Sequence, residues 1–328
     1  MPFTTRSALL GLLAAAGVLI AACGGNDDDN GDPAGNEGDP TIIHTPIDAA
    51  ILPTVISSDL AIGDNRFLVG LQDQDSGELV LNADLNLAFY RMDSDEGTLK
   101  FETAPDPIVI TRSYRHTHED GVIEFHDAGE TGAYVTHADF DEAGLWGVEV
   151  TGTTADGTEL EPVRPTFNVR ETSFGLAVGD PAPRSVQTIL ADVGNIGDID
   201  SSEEPIPEQH EMTVADAVTS GKPTVIAIAT PAFCQSQICG PTKLFFDDLY
   251  NAHGDDANFV HIEPYDVARI NAGDCETLFD CADPVLDEWR LQSEPWVFIV
   301  DAEGNIAAKF EGLVTFEEME AALQEVLA

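Results

Sequence analysis

Two cysteines, Cys234 and Cys239, stand in the segment Thr230-Pro-Ala-Phe-Cys-Gln-Ser-Gln-Ile-Cys-Gly-Pro-Thr-Lys243, between an apolar run and an amphipathic one. Sulfur at a strand-to-helix turn feels the partial positive charge of the helix N-terminus, which favours thiolate and makes it a nucleophile. With a second sulfur nearby, thiol–disulfide exchange has both its parts: one cysteine forms a mixed disulfide and the other displaces the client from it. A second pair, Cys275 and Cys281, lies in Asp274-Cys-Glu-Thr-Leu-Phe-Asp-Cys-Ala-Asp283. Flanking acids raise a thiol pKa, so this pair is expected as a structural disulfide pinning an insertion, with electron relay to the first pair as the alternative. Histidines form the other cluster: His116 and His118 in Tyr114-Arg-His-Thr-His-Glu-Asp120, then His126 and His137. On a strand, residues i and i+2 share a face, so His116 and His118 can present two imidazoles together as a half-site for copper or zinc. Solvated histidines on a wet β surface are the plainer reading. The chain has no phosphate-binding Gly-rich loop, dinucleotide fingerprint, HExxH helix or nucleophile elbow.

The elements that must position these residues fall into two patterns. Residues 41–172 read as all-β. Phe67, Val69 and Leu71, then Leu85, Leu87 and Phe89, then Trp146, Val148 and Val150 alternate with polar neighbours. Turn signals ending at Gly77, Gly97, Gly144 and Gly157 recur between such runs. Short alternating strands with regular turns predict an immunoglobulin-like sandwich, here without cysteine and so without an inter-sheet disulfide. From residue 173 the pattern becomes alternating strand and helix, an α/β domain over 173–328. Val225–Ala229 reads as a strand buried on both faces, followed by a helix with Phe245, Leu249 and Ala252 on one stripe. Phe259–Ile262 and Trp296–Val300 are further buried strands, and Asp301-Ala-Glu-Gly304 turns the chain into another strand through Phe310. Thr315 and Glu318 predict a capping box for a last helix with Phe316, Met319, Leu323 and Val326 on one face.

With 328 residues the chain has room for two such domains and a leader. Arg6 precedes an apolar stretch from Ala8 to Ala22, too short to span a bilayer comfortably. It runs into Ile20-Ala-Ala-Cys23, which resembles the lipobox of bacterial lipoproteins. That resemblance implies that residues 1–22 are a signal peptide, that Cys23 is lipidated, and that the protein is anchored to the membrane on its extracytoplasmic side. Residues 23–40 are Gly, Asn, Asp and Pro with almost no apolar side chain, an acidic flexible tether. Apart from Cys23 the cysteines number four, an even count that suits disulfides in an exported protein. Sixty acidic residues against 14 basic ones give a net charge of −46, which argues against nucleic acid as a partner, since phosphates would be repelled. Such acidity with only four lysines also suits a high-salt medium, where screening weakens self-repulsion.

Gly179-Asp-Pro-Ala-Pro183, Thr230-Pro-Ala-Phe-Cys234, Cys239-Gly-Pro and Glu294-Pro-Trp-Val-Phe-Ile-Val-Asp-Ala-Glu-Gly304 together resemble thioredoxin-like extracytoplasmic oxidoreductases of the TlpA type, over residues 179–328. The resemblance implies a thioredoxin-like fold, protein thiol or disulfide clients, no required cofactor, and a cis-proline at Pro295 facing the redox cysteines. The chain departs from the family's two-residue cysteine spacing, for four residues separate Cys234 and Cys239. Two alignments follow. Either Cys234 is the attacking cysteine with two residues inserted before Cys239, which is favoured because Phe233-Cys234 follows the strand directly, or Cys239-Gly-Pro-Thr242 occupies the motif. Residues 132–150, through Gly144-Leu-Trp-Gly-Val-Glu-Val150, resemble extracytoplasmic β-sandwich modules of YtkA/FixH type. Rival readings are a peroxiredoxin-like thiol peroxidase and a copper carrier resembling the Sco type. The first is disfavoured because position 231 is Pro and Thr230 lies one residue too far from Cys234.

Overall fold

The computed structural model describes residues 49–117, 123–234 and 238–328. Its first half is β-rich. Eight strands run in chain order: β1 (Ile51–Val55), β2 (Gly63–Asp73), β3 (Asp84–Arg91), β4 (Thr98–Thr103), β5 (Asp106–Thr117), β6 (Ile123–Phe140), β7 (Gly144–Thr153) and β8 (Thr166–Val169). They form two antiparallel four-stranded sheets, β1-β2-β6-β5 and β4-β3-β7-β8. The period-two residues named above close the space between them: Phe67, Val69 and Leu71 from one sheet meet Leu87, Phe89, Trp146 and Val148 from the other, all buried. Phe89 stacks on Phe101 with ring centroids 4.6 Å apart, and Phe140 meets Trp146 edge-on at 4.9 Å. Gly77, Gly97, Gly144 and Gly157 all adopt positive φ, the conformation that their turns reserve for glycine.

The second half is α/β. Strands β9 (Thr224–Ile228), β10 (Asn258–Ile262), β11 (Trp296–Val300) and β12 (Ile306–Glu311) form a sheet in the order β10-β9-β11-β12. β9 and β10 are parallel, while β11 runs antiparallel to both β9 and β12. The α-helices are α1 (Val214–Ala217), α2 (Cys239–His253), α3 (Val267–Ala272), α4 (Val285–Glu288) and α5 (Phe316–Leu327). Because successive strand residues face opposite ways, Val225, Ala227, Val297 and Ile299 pack against Phe246 and Leu249 of α2 and Met319 and Leu323 of α5. Ile226, Ile228, Phe298 and Val300 pack on the other face against Val214, Val285 and Trp289. Coverage of both faces explains why β9 and β11 read as unbroken apolar runs. Thr315 and Glu318 form the capping box of α5. The buried face of α2 is Thr242, Lys243, Phe246 and Leu249, whereas Ala252 is exposed, so the stripe is turned by one residue from the predicted one. Two adjacent phenylalanines at 245 and 246 make both registers apolar, and the buried charge of Lys243 hides the true one.

These described residues belong to a single compact unit, Pro40–Ala328. The join between its halves is polar at the centre. Arg66 of β2 grips Glu318 through Nε (2.7 Å) and Nη2 (3.0 Å), and also donates to the carbonyls of Glu311 (3.1 Å) and Leu313 (2.6 Å). Beside it, Leu68, Ile108 and Ala133 of the sandwich's outer face meet Leu313, Ile56 and Ile238. Asp59 accepts from Ser173, from the Phe174 amide (2.7 Å) and from Lys309 Nζ (3.2 Å).

Arg66→Ala leaves Glu318 and two carbonyls without their donor, and should cost about 2–4 kcal/mol in urea unfolding. Arg66→Lys should recover less than half, since an ammonium cannot reproduce the two-pronged contact. Burial pushes the Asp59 carboxyl up, but the hydrogen bond from Ser173 and the charge of Lys309 outweigh it and hold the group below its usual range. Its folded form therefore binds fewer protons than its unfolded form around the ordinary carboxylate range. Stability from Asp59 is complete above roughly pH 4–5 and is lost as pH falls through the lower folded value. The slope of stability against pH below 5 should flatten in Asp59→Asn.

Candidate functional site

β9 and β10 end, and β11 begins, on the same edge of the sheet, because Ile228 pairs with both Ile262 and Trp296. The chain leaving β9 passes Thr230 and a turn to Cys234, which is half-buried. Residues 235–237 lie outside the described residues, and Cys239, fully buried, opens α2. The Cys234 and Cys239 thiols are hydrogen-bonded to each other and are not bridged. That bond, together with burial, pushes the Cys239 thiol far up, and the Glu294 carboxylate adds to the effect. The bond to Cys234 and burial thus override the helix terminus, which by itself would favour thiolate at Cys239. The accessible sulfur is Cys234, while Cys239 is held as a protonated thiol behind it.

The Glu294–Pro295 bond, just before β11, is cis, and the Pro295 carbonyl accepts from the Gly312 amide at 2.8 Å. Glu294 points to the dithiol: burial pushes its carboxyl up, the negative charge of Cys234 adds to this, and a hydrogen bond from Tyr265 opposes it. Tyr265, just beyond β10, is pushed up to about 12 by burial, by Glu294 and by the two cysteines. Cys234, Cys239, Glu294, Pro295 and Tyr265 are therefore one constellation. Cys275 and Cys281 are bridged, with Cα atoms 6.0 Å apart. The bridged loop is tied to the Tyr265 segment by hydrogen bonds from Asp266 N to Cys281 O (2.7 Å) and from Asp283 N to Pro264 O (2.9 Å).

Behind the dithiol lies a buried acid–histidine cluster. His210 Nε2 donates to Asp200 Oδ2 at 2.8 Å, and His261 Nδ1 stands 3.3 Å from the same oxygen. One ligand atom from each of the three residues lies within 4.8 Å of the others. Burial pushes Asp200 up, but the charge of His261 and the hydrogen bonds from both histidines prevail and hold it ionised; burial lowers His210. Glu263, 5% exposed, accepts from the Ser201 amide at 2.7 Å through Oε1, while its Oε2 has no hydrogen-bond partner. Burial pushes its carboxyl up as well. A cavity of about 450 Å³ is lined by His210, His261, Glu263, Tyr265, Asp266 and others, so the cluster and Tyr265 share one wall.

Of the histidines singled out from the sequence, His137 is not part of it. His116 and His126 sit in β5 and β6 by their backbone register, and their side chains, like His118 and Cys23, lie outside the described residues. His137 is on the sandwich surface, paired with Asp64 at 3.0 Å. Sequence reasoning missed Asp200, His210, His261, Glu263, Tyr265 and Glu294. One signal was present: His261 interrupts the otherwise apolar run Phe259–Ile262, and Glu263 follows it directly.

No protein-family model matches the chain, and no curated protein matches it in sequence. Among solved structures it is similar to MtrC from Shewanella baltica OS185 at 10% identity with a TM-score of 0.20, over 78% of this chain and 51% of that one. The chain thus spans about half the length of MtrC, and the likeness is too slight to bear on fold or function.

Iodoacetamide should modify Cys234 in the native protein and leave Cys239 unmodified until the chain is unfolded, as read by peptide mass spectrometry. Glu294→Gln removes a negative charge that opposes thiolate at Cys234, so alkylation of Cys234 at neutral pH should quicken by roughly 2- to 10-fold.

Proposed function

We propose that this chain is an extracytoplasmic, lipid-anchored thiol–disulfide oxidoreductase, with a thioredoxin-like α/β domain of TlpA type carried beside an immunoglobulin-like sandwich. The observation that carries the reading is the asymmetry of the dithiol, with a half-buried Cys234 in front of a fully buried, protonated Cys239 at the start of α2. Its placement at the sheet edge beside Pro295 supports it further.

In this reading the Cys234 thiolate attacks a client disulfide, forming a mixed disulfide and releasing one client thiolate. Cys239 then gives up its proton and attacks Cys234 Sγ, releasing the second client sulfur and leaving Cys234–Cys239 oxidised. Two electrons pass to the client, and the reverse sequence oxidises a client dithiol. Only sulfur chemistry is involved, so no cofactor is required. The clients are proteins, the membrane is reached through lipid on Cys23, and the charge of −46 disfavours nucleic acid.

Cys239→Ser should accumulate mixed disulfides, because the attacking sulfur remains and the resolving one is gone, whereas Cys234→Ser should accumulate few. Non-reducing gels of cells expressing each variant read the difference. A wild-type pair that resists dithiothreitol until unfolding, with no trapped species in either variant, would make the dithiol a structural staple and end this reading.

A further inference from the structure

We propose that Asp200, His210 and His261 form a buried binding site for a divalent transition metal, with zinc as its type, separate from both cysteine pairs. The argument starts from His261. Its Nε2 lies 3.0 Å from the Ala229 carbonyl oxygen, which can only accept, so Nε2 carries the proton. In the neutral ring that leaves a lone pair on Nδ1, and this faces Asp200 Oδ2, also a lone-pair atom, across 3.3 Å. A cation between them, proton or metal, relieves the repulsion of two facing lone pairs. If the cation were a proton, the charge-assisted bond would be about 2.7–2.9 Å long. Two ligands held at roughly 2.0–2.1 Å on a tetrahedral zinc stand about 3.3–3.4 Å apart.

The surroundings fit a metal shell. The hydrogen bond from His261 Nε2 to a backbone carbonyl fixes the tautomer and ring orientation, as the outer partner of a ligating histidine does. Asp200 is oriented in the same way, its Oδ1 accepting the Ser202 amide at 2.8 Å. His210, on the short turn Pro207–His210, has its ring edge-on to that of His261 at 5.3 Å and donates Nε2–H to the same carboxylate oxygen at 2.8 Å; ligation through Nε2 moves that proton to Nδ1 as the metal enters. Two imidazoles and a carboxylate are a donor set for zinc and its first-row neighbours. An independent observation also points to a ligand. Glu263 Oε2, buried and without a partner, belongs to the wall of the same cavity as His210 and His261, where it or a solvent oxygen can complete the shell. Asp192, Asp198, Asp266 and Asp283 line that cavity too and favour entry of a cation. A metal here would tie the Ala229 end of β9 to the loop carrying Asp200, next to the segment that leads to Cys234.

The test uses the full-length chain carrying Cys23→Ser, Cys234→Ser and Cys239→Ser, stripped with chelator and titrated with zinc against a chromophoric competitor. One zinc per chain should bind, and Asp200→Asn and His261→Gln should each weaken it by at least about tenfold. His116→Ala with His118→Ala should leave the affinity unchanged. Near-UV circular dichroism checks the fold of each variant. If the cluster variants do not fold, cobalt added to the thiol-free parent decides, since a tetrahedral site of nitrogen and oxygen ligands gives visible d–d bands without sulfur charge transfer. No stoichiometric zinc, weak binding unchanged in the folded cluster variants, or absent cobalt bands would overturn the proposal.

Discussion

The whole arrangement depends on β9 being buried on both faces. A five-residue strand with no solvent-facing side has its position fixed by packing from above and below, by β10 on one edge and by β11 on the other. Its C-terminal end is therefore a firmly held place from which to launch a loop. The Ala229 carbonyl reaches His261, the following turn carries Cys234, and the cis Glu294–Pro295 step stands opposite because β11 starts where β9 stops. Sulfur, carboxylate, phenol and imidazole meet at one sheet edge because three strands place their ends there.

Electrostatics then separates the two sulfurs. The hydrogen bond to Cys234, burial and the Glu294 carboxylate all disfavour thiolate at Cys239. The nearby cation on α2, Lys243, is one turn further along and is held by Asp247 at 2.6 Å, which Gln209 also binds at 2.7 Å. Its charge is felt at Asp200 and His210. Positive charge thus favours the ionised form of Asp200 and the neutral form of His210, while Cys239 is left to burial and its neighbours. This keeps one sulfur protonated in a chain where the helix terminus alone would do the opposite.

Much of the scaffold was legible because it follows from periodicity. Phe67, Leu87 and Val148 alternate as a half-buried sheet must, and β9 and β11 are apolar throughout because helices cover both faces. The α5 cap was legible from Thr315 and Glu318 alone. The site was legible only where chemistry sits in a local motif, as with Cys234, Cys239 and Pro295. Asp200 and His210 come from a stretch without regular pattern, and they acquire meaning only when β10 brings His261 to them. The α2 register slipped by one residue because Phe245 and Phe246 fit either face, and Lys243, charged yet 2% exposed, looked like solvent-facing polarity. Asp247 stands at the i,i+4 position, where a pair on a solvated helix face would also place it, and only Gln209, from a turn 38 residues before Asp247, marks the pair as buried.

The sandwich is more than an appendage to the α/β half. Ile238, the residue directly before Cys239, packs with Ile56, Leu68 and Leu313, so the first turn of α2 rests on the sandwich's outer sheet. Gly312, at φ +72°, turns the chain beneath this contact, where a Cβ would lie 3.7 Å from both Ile238 and Ile56. Its amide holds the Pro295 carbonyl and its own carbonyl accepts from Thr242 of α2. A single turn therefore connects the sandwich, the cis-proline segment and the helix that opens with Cys239. Arg66, gripping Glu318 and the carbonyls on either side of Gly312, fixes that turn from the sandwich side. Movement of the sandwich would therefore be transmitted to the buried sulfur, whereas Cys234, on the loop from β9, is positioned by the sheet. The two cysteines take their places from different halves of the molecule, and the geometry of their meeting depends on the join between those halves.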